Sequence, residues 1–235
     1  MKLIHLINRF GIDIKRFPSI DLRRRMMLFN EFKVNCIIDV GANFGQYGVE
    51  LRKIGYKGKI YSYEPLSYAY SKLTKAANKD SNWETHNFAM GSVNENRKIN
   101  ISKNYFSSSF LKQKKELVDQ VSNTEFFKTE EVEIQPLDAI FPTIYKENLN
   151  VYLKIDTQGF EMEVLKGAEK SLDKIIGVQM EMSLNPSYEQ VVVFDEIYNF
   201  MKEKGFKLYS IENGFYNPKT GQLNEIEGVF FREQL

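Results

Sequence analysis

The chain is poor in cysteine and histidine, which removes several kinds of site from consideration. Its 235 residues include one cysteine and two histidines. One cysteine forms no disulfide framework, and this set supplies no zinc cluster. Cys36 comes at the start of an apolar run and is interpreted as a small packing residue. The scarcity of cysteine fits a reducing compartment, and we expect a cytoplasmic protein.

Long apolar runs and an excess of one charge are also missing. No stretch approaches the roughly 18 apolar residues of a membrane-spanning helix. Lysine and arginine total 32 and aspartate and glutamate total 31, which gives a net charge of +1. Phosphate backbones need clustered positive charge. The near-neutral balance therefore argues against nucleic acid as the main partner.

Strand and helix patterns alternate along most of the chain, which is typical of a parallel α/β sheet. The apolar content of 43% supports a sizeable core. We expect an N-terminal helical segment over residues 1–34 and one domain over 35–235, with an antiparallel insertion at about 97–135. Strands are predicted over residues 35–40, 58–63, 83–88, 149–155, 175–182, 206–211 and 228–232. Helices are predicted over residues 21–32, 45–54, 66–77, 161–172 and 188–204.

The most informative segment is residues 36–47, where an apolar run ends in Asp39 and is followed by Gly41 and Gly45. Glycines allow a sharp turn and the close approach of a ligand, and amides at a helix start favour an anion. Glu64 ends the next strand, 23 residues after Gly41. A carboxylate at this spacing can accept hydrogen bonds from both hydroxyls of a ribose. The pattern predicts a cofactor that contains a ribose.

Two cofactors with a ribose have to be compared, a nicotinamide dinucleotide and S-adenosylmethionine. In the dinucleotide fingerprint G-x-G-x-x-G a middle glycine admits the pyrophosphate, and Asn43 occupies that position here. The two predicted closing strands also favour an antiparallel strand at the sheet edge, unlike a symmetric dinucleotide fold. We favour S-adenosylmethionine. An NAD-dependent oxidoreductase and a non-catalytic, methyltransferase-like binding module remain alternatives.

A set of short motifs strengthens this choice. They are Asp39-Val40-Gly41-Ala42-Asn43-x-Gly45-x-Tyr47, Glu64-Pro65, Phe88-Ala89-Met90-Gly91, Leu137-Asp138, Lys154-Ile155-Asp156-Thr157-Gln158-Gly159-Phe160-Glu161 and Val164-Leu165-Lys166-Gly167-Ala168. Together they resemble the FkbM family of S-adenosylmethionine-dependent methyltransferases. The resemblance implies a Rossmann-like, seven-stranded class I methyltransferase sheet, mostly parallel with an antiparallel last strand. It also implies O-methylation, often of a sugar, polyketide or other secondary metabolite.

The resemblance further implies where the cofactor binds. Glu64 would bind the ribose, and Ala89 and Met90 would flank the adenine. The methionine part would be lined by Gly41, Asn43 and Gly45. The complete predicted cofactor site consists of Asp39, Gly41, Ala42, Asn43, Gly45, Tyr47, Glu64, Pro65, Ala89, Met90 and Asp156.

Three acids are candidates for the catalytic chemistry. Asp156 ends the fourth core strand, Glu161 begins the following helix, and Glu181 ends the fifth strand. A general base that removes a hydroxyl proton typically adds about 10²–10⁴-fold to the rate. Asp156 is the first candidate base, with Glu181 or Glu161 second. Glu161 could instead complement a helix N-terminus, and Glu181 could pair with a lysine.

The predicted partner is a small-molecule hydroxyl acceptor, such as a sugar, a polyketide or a glycan precursor. Asp156 and Glu181 could together hold a divalent cation, but the sequence offers no third clear ligand, so no metal site is predicted. The aromatic and serine-rich stretch at 105–110 is a candidate substrate-facing loop. The alternative is a flexible polar loop. Nucleic acid is not expected as a partner, no transmembrane segment is predicted, and a homodimer is considered.

Overall fold

The structure is a computed structural model that describes residues 17–232. The chain divides into two units, with the boundary between Lys33 and Val34. In the first unit, the Ser19 hydroxyl accepts a hydrogen bond from Leu22 N at 3.1 Å and caps helix α1, Ile20–Glu31. The predicted helix over residues 21–32 is therefore present. The part of the predicted N-terminal segment before residue 17 lies outside the described residues.

The second unit contains the helices and strands that build the site. Its strands are β1 Cys36–Val40, β2 Lys59–Tyr63, β3 Trp83–His86, β4 Ala89–Met90, β5 Glu95–Ser102, β6 Phe126–Gln135, β7 Val151–Ile155, β8 Ile175–Ser183, β9 Phe206–Asn213 and β10 Glu225–Arg232. Its α-helices are α2 Gln46–Lys53, α3 Ser67–Ala77, α4 Lys115–Gln120, α5 Leu137–Ile144, α6 Glu161–Gly167 and α7 Phe194–Glu203. None of the helices in the described residues is long and apolar enough to cross a membrane.

Seven strands form one sheet in the order β3-β2-β1-β7-β8-β10-β9. The pairs from β3 to β8 are parallel, and β10 is antiparallel to both β8 and β9. Every residue of β1 and β7 is buried, as expected for central strands of a parallel sheet whose two faces are covered. The expected mostly parallel sheet with an antiparallel last strand is confirmed.

A second, three-stranded sheet has the order β4-β6-β5. Strands β5 and β6 pair antiparallel, with Glu95 opposite Ile134 at one end, and β4 pairs parallel to β6. Ile99, Ile101 and Val132 on this sheet pack with Leu66 and Ala69 from the start of α3. The predicted antiparallel insertion is therefore present, and it covers the carboxyl edge of the main sheet.

Several predicted elements differ from the structure, among them the strand expected over 228–232, which begins at Glu225. The strand expected over residues 83–88 ends at His86, and Ala89–Met90 joins the smaller sheet instead. The helix expected over 161–172 ends at Gly167 and is followed by a separate 3₁₀ turn, Ser171–Lys174. The helix expected over 188–204 begins only at Phe194. Gln190 has a positive φ of 63°, which a right-handed helix does not tolerate, and three β-branched valines follow it.

Candidate active site

A cleft of about 720 Å³, including its open mouth, lies at the carboxyl edge of β1, β2 and β7. Its walls come from the turns that follow these three strands and from the insertion. Ligands bind at this edge in open α/β sheets because the strand-to-helix turns converge there. Of the predicted cofactor residues, the cleft is lined by Gly41, Asn43, Glu64, Pro65, Ala89, Met90 and Asp156.

Glu64 forms a carboxylate wall of this cleft. One oxygen accepts a hydrogen bond from Asn43 N at 2.8 Å and the other from Leu66 N at 2.9 Å. Burial raises the pKa of Glu64 to about 7, against the two backbone hydrogen bonds that lower it. Each carboxylate oxygen accepts more than one hydrogen bond, so both retain capacity for hydroxyl donors from a ligand.

The turn after β1 depends on Gly41 for a reason that the sequence did not indicate. Gly41 has φ of 76°, and a Cβ there would lie 1.9 Å from the backbone oxygen of Asp156. The glycine therefore lets the β7 turn pack directly on the β1 turn. Asn43 also has a positive φ, and its side-chain amide donates to Tyr105 O at 3.2 Å. This contact ties the turn to the insertion.

Four predicted cofactor residues do not line the cleft. Gly45 has φ of 85° and precedes α2, and a Cβ on it would contact Leu73 on α3 at 3.0 Å. The Ala42 amide donates to Tyr63 O at 3.0 Å. The two remaining residues, Asp39 and Tyr47, lie within the sheet and its covering helix, and they belong to the buried network that supports the site.

The centre of that network is an ion-paired lysine beneath the strand ends. Lys154 Nζ lies 3.6 Å from Asp39 Oδ1 and 3.2 Å from Asp156 Oδ2. Burial lowers the pKa of Lys154, but the Asp156 and Asp39 carboxylates outweigh it and raise the pKa above its usual range. Asp39 is fully buried, and Ser62 Oγ donates to its other oxygen at 3.2 Å. Asp39 thus acts as the counter-ion that fixes Lys154.

Tyr47 also belongs to this network, through contacts with Lys154 and Gln179. Its ring lies 5.4 Å from Lys154 Nζ, and its hydroxyl donates to Gln179 Oε1 at 3.0 Å. The Gln179 amide in turn donates to Glu227 on the antiparallel strand β10. The predicted residue Tyr47 is therefore placed under the sheet edge, where it supports Lys154.

Asp156 faces the cleft at the end of β7, and 34% of its side chain is exposed. Gln158 Nε2 donates to Asp156 Oδ1 at 3.1 Å and to Glu181 Oε2 at 2.9 Å. The Tyr188 hydroxyl donates to the side-chain oxygen Oε1 of Gln158 at 3.0 Å. The carboxylates of Asp156 and Glu181 thus share one amide, and Gln158, which was not among the predicted site residues, is the residue that joins them.

Glu161 is not among the residues that line the cleft at the edge of β1, β2 and β7. Its Oε1 accepts hydrogen bonds from Thr157 N at 2.9 Å, Thr157 Oγ1 at 3.1 Å and Gly159 N at 3.2 Å. Burial raises its pKa to about 7, and the backbone hydrogen bonds oppose that effect. The side chain holds the turn at residues 157–159 in place, and it is not among the residues that line the cleft.

A second cavity of about 630 Å³ shares Phe106 and Gln158 with the cleft, and we call it the acceptor cavity. Glu181 and Glu225 both line it. Burial raises the pKa of Glu181 well above its usual range, and the neighbouring Glu225 carboxylate adds to the shift. Glu225 lies 44 positions from Glu181 in sequence, and the antiparallel pairing of β8 with β10 brings them together.

The sequence profile of the methyltransferase FkbM domain matches residues 39–208 of this chain. That range contains the turns after β1, β2 and β7 that form the cleft. The chain belongs to the FkbM methyltransferase family. S-Adenosylmethionine is the cofactor of this FkbM methyltransferase, and family membership favours it over the NAD-dependent alternative.

Solved structures support the fold of this FkbM methyltransferase. An uncharacterised protein from Listeria monocytogenes serotype 4b superposes with a TM-score of 0.51 at 7% identity, covering 92% of this chain and 69% of the other. TehB from Haemophilus influenzae superposes with a TM-score of 0.50 at 8% identity, covering 91% of this chain and 62% of TehB. No curated protein matches the chain in sequence. At these identities the likeness concerns the fold alone.

Proposed function

We propose that the protein transfers a methyl group to a hydroxyl oxygen of a small molecule, a sugar or glycan precursor, with Asp156 as general base. The observation that carries the proposal is the position of Asp156. It lines the cofactor cleft, and its neighbour Gln158 lines both that cleft and the acceptor cavity. A carboxylate at this junction can reach an acceptor hydroxyl from the side of the cofactor.

The residues of the cleft fit the cofactor. The Glu64 carboxylate suits the two ribose hydroxyls, and apolar Leu66, Ala89 and Met90 form a slot for the adenine. The turn at Gly41 and the negative charge of Asp156 suit the methionine end. When bound, S-adenosylmethionine would supply a methyl group on a positively charged sulfur, and the sulfur keeps the bonding electron pair when the methyl group is transferred to oxygen.

The protein residues then have two tasks. They hold the hydroxyl oxygen in line with the methyl group, and positioning of this kind is worth up to about 7–11 kcal/mol. Asp156 accepts the hydroxyl proton on a carboxylate oxygen, while Lys154 and Gln158 fix the orientation of that carboxylate. Removal of this proton contributes about 10²–10⁴-fold. In the balanced transfer the carbon–sulfur and oxygen–hydrogen bonds break, the carbon–oxygen bond forms, and the proton ends on Asp156.

A small molecule fits the acceptor cavity better than nucleic acid does. The cavity is lined by the Glu181 and Glu225 carboxylates, which repel phosphate groups, and by the ring of Phe215. Asn104, Ser107 and Thr124 add polar groups that suit a polyhydroxyl ligand. The predicted cytoplasmic location and the homodimer stay predictions.

Incubation with isotope-labelled S-adenosylmethionine and a panel of sugars tests the proposal. We expect a product with the mass gain of one methyl group on oxygen. We expect Asp156→Asn to lower kcat by about 10²–10⁴-fold when the cofactor is saturating. Methylation of a nitrogen or carbon, or full kcat in Asp156→Asn, would contradict the proposal. The non-catalytic alternative predicts no methylated product from any acceptor.

A further inference from the structure

Beside the acceptor cavity lies a narrow chamber with a free volume of about 10 Å³, here called the acidic recess. Its wall carries three carboxylates, Glu161, Glu181 and Glu225, and it adjoins the acceptor cavity through shared wall residues. Three hydroxyl groups complete the polar part of the wall, from Ser183, Ser187 and Tyr188.

The acidic recess has no counter-ion among the described residues 17–232. No lysine or arginine in that range forms an ion pair with Glu161, Glu181 or Glu225. Lys154 lies at the end of the neighbouring strand, but it is already paired with Asp39 and Asp156. Buried carboxylates without a cation are costly, and they commonly indicate a bound positive group or a retained proton.

The hydrogen bonds of the acidic recess leave one polar group without a partner. Glu161 accepts hydrogen bonds from Thr157 and Gly159, and Glu181 accepts one from Gln158. Glu225 shares a hydrogen bond with Glu181, which needs a proton on one of the two carboxyl groups, and it also accepts one from Ser187. Ser183 Oγ, by contrast, is buried with no hydrogen-bond partner, and Ser183 as a whole is 7% exposed. A buried hydroxyl that lines a chamber and has no partner is an available ligand contact.

The groups of the acidic recess suit an ammonium ion. A protonated amine has three donors and no acceptor, and carboxylate and hydroxyl oxygens are the acceptors it needs. A divalent metal ion is the other cation to consider, but in the described part of the chain no group of three or more acidic, histidine or cysteine side chains is arranged to hold one. The free volume of about 10 Å³ is close to the space of one water-sized group, which is the size of an ammonium head.

We propose that the acidic recess binds the protonated amine of the acceptor, so that the acceptor is an amino sugar with a free amine near the hydroxyl that is methylated. This inference rests on the proposed O-methyl transfer and adds the substrate class. Glu181 and Glu225 contact the amine, Ser183 accepts one of its hydrogens, and Asp156 contacts the hydroxyl.

The spacing of the two carboxylates supports a compact ligand. Asp156 Oδ1 and Glu181 Oε2 lie 3.1 and 2.9 Å from the same nitrogen of Gln158, so these oxygens are at most about 6 Å apart. A sugar ring with neighbouring amine and hydroxyl substituents can place one group near each carboxylate. The aromatic rings of Phe106 and Phe215 in the acceptor cavity offer apolar surface for the sugar ring.

Binding titrations on the full-length protein saturated with S-adenosylhomocysteine test the inference. The probes are D-glucosamine, N-acetyl-D-glucosamine and D-glucose, which differ in the charge at one substituent. We expect glucosamine to bind at least tenfold more tightly than either neutral sugar. Glu225→Gln should reduce that preference to less than threefold. Glu84→Gln is the matched control, because Glu84 lies on β3 at the far edge of the sheet, and it should keep the preference.

Several results would overturn the inference: equal affinity for the three sugars, preference for a neutral sugar, no glucosamine binding at tens of millimolar, or an unchanged preference in Glu225→Gln. Thermal melting and S-adenosylhomocysteine affinity of each variant report whether it is folded, and Glu181→Gln serves as a second variant. The titrations need no turnover. A failure of O-methylation is read from the product, whereas a failure of the acidic recess is read from the affinity ratio.

Discussion

The Glu64 carboxylate offers the sharpest perturbation of the cofactor site. We consider Glu64→Gln, which keeps the size of the side chain. Both carboxylate oxygens receive a backbone N–H, from Asn43 at 2.8 Å and from Leu66 at 2.9 Å. The glutamine NH₂ group would have to face one of these donors. The variant therefore loses an acceptor for the ribose and leaves one backbone donor without a partner.

The expected loss of affinity follows from the charge on this acceptor. A hydrogen bond to a charged group is worth about 1.5–3 kcal/mol, and the lost acceptor serves one ribose hydroxyl. Since about 1.4 kcal/mol corresponds to a tenfold change in the dissociation constant, the upper value corresponds to a dissociation constant roughly 150-fold larger. We expect S-adenosylhomocysteine to bind between about 10-fold and 150-fold more weakly to Glu64→Gln at pH 8.

Isothermal titration calorimetry with S-adenosylhomocysteine measures this loss, with Glu84→Gln as the remote control of the same chemical change. Burial raises the pKa of Glu64 to about 7, so its charged form is lost as the pH falls from 8 to 6. Wild-type affinity should weaken over that range, and Glu64→Gln should show no such dependence. Affinity of Glu64→Gln within threefold of wild type at pH 8 would refute the role of this carboxylate.

The same pKa shift has a consequence for stability, with a definite sign. The folded value of about 7 exceeds the ordinary value of 4.5, so the folded protein binds this proton more tightly than the unfolded chain does. The contribution of Glu64 to stability therefore increases as the pH falls from about 7 to about 4.5. Glu161 shifts in the same direction for the same main reason, burial.

Three further variants test the supporting structure. Gly41→Ala should lower the free energy of unfolding, measured in urea, by at least about 2 kcal/mol, because its Cβ would meet the Asp156 carbonyl. Gly221→Ala is the control, since Gly221 has a similar φ of 75° but open space around it, and its loss should be clearly smaller. Equal losses in the two variants would contradict this account. Lys154→Met should cost about 3–5 kcal/mol by leaving Asp39 buried without its cation, and a loss below 1 kcal/mol would contradict the ion pair. Glu181→Gln should raise stability at pH 8 by about 1 kcal/mol, because it removes a charge that burial and the nearby Glu225 carboxylate both disfavour, and a lower melting temperature would contradict this reasoning.

The sequence was sufficient to predict the sheet and the position of the cleft. Patterns of apolar residues fixed the central strands, and the acids and glycines after them identified the edge where a ligand binds. This works because parallel strands that alternate with helices all end at the same edge, so local patterns carry the global arrangement. Glu64 and Asp156 were found in this way, and both line the cleft.

Contacts between distant segments could not be predicted from local patterns. Glu225 reaches Glu181 only through the register of an antiparallel strand, in which Glu227 lies opposite Glu181. The role of Gly41 depends on the approach of the Asp156 carbonyl, which directly follows strand β7, more than a hundred residues later in the sequence. Lys154 falls within a motif that the sequence pointed out, yet its pairing with Asp39 follows from the parallel register, which places Asp39 opposite Lys154.

The buried acids of this site differ in their hydrogen-bond partners, and the partners of Glu161 explain its position. Its carboxylate accepts three hydrogen bonds from the turn at residues 157–159, where Gln158 and Gly159 both have positive φ. Such a turn is strained for a non-glycine residue and persists because side chains hold it. With the turn fixed, Gln158 presents its amide nitrogen to Asp156 and Glu181 together. We therefore expect Glu161 to act as a positioning residue, which orients the two acids through Gln158.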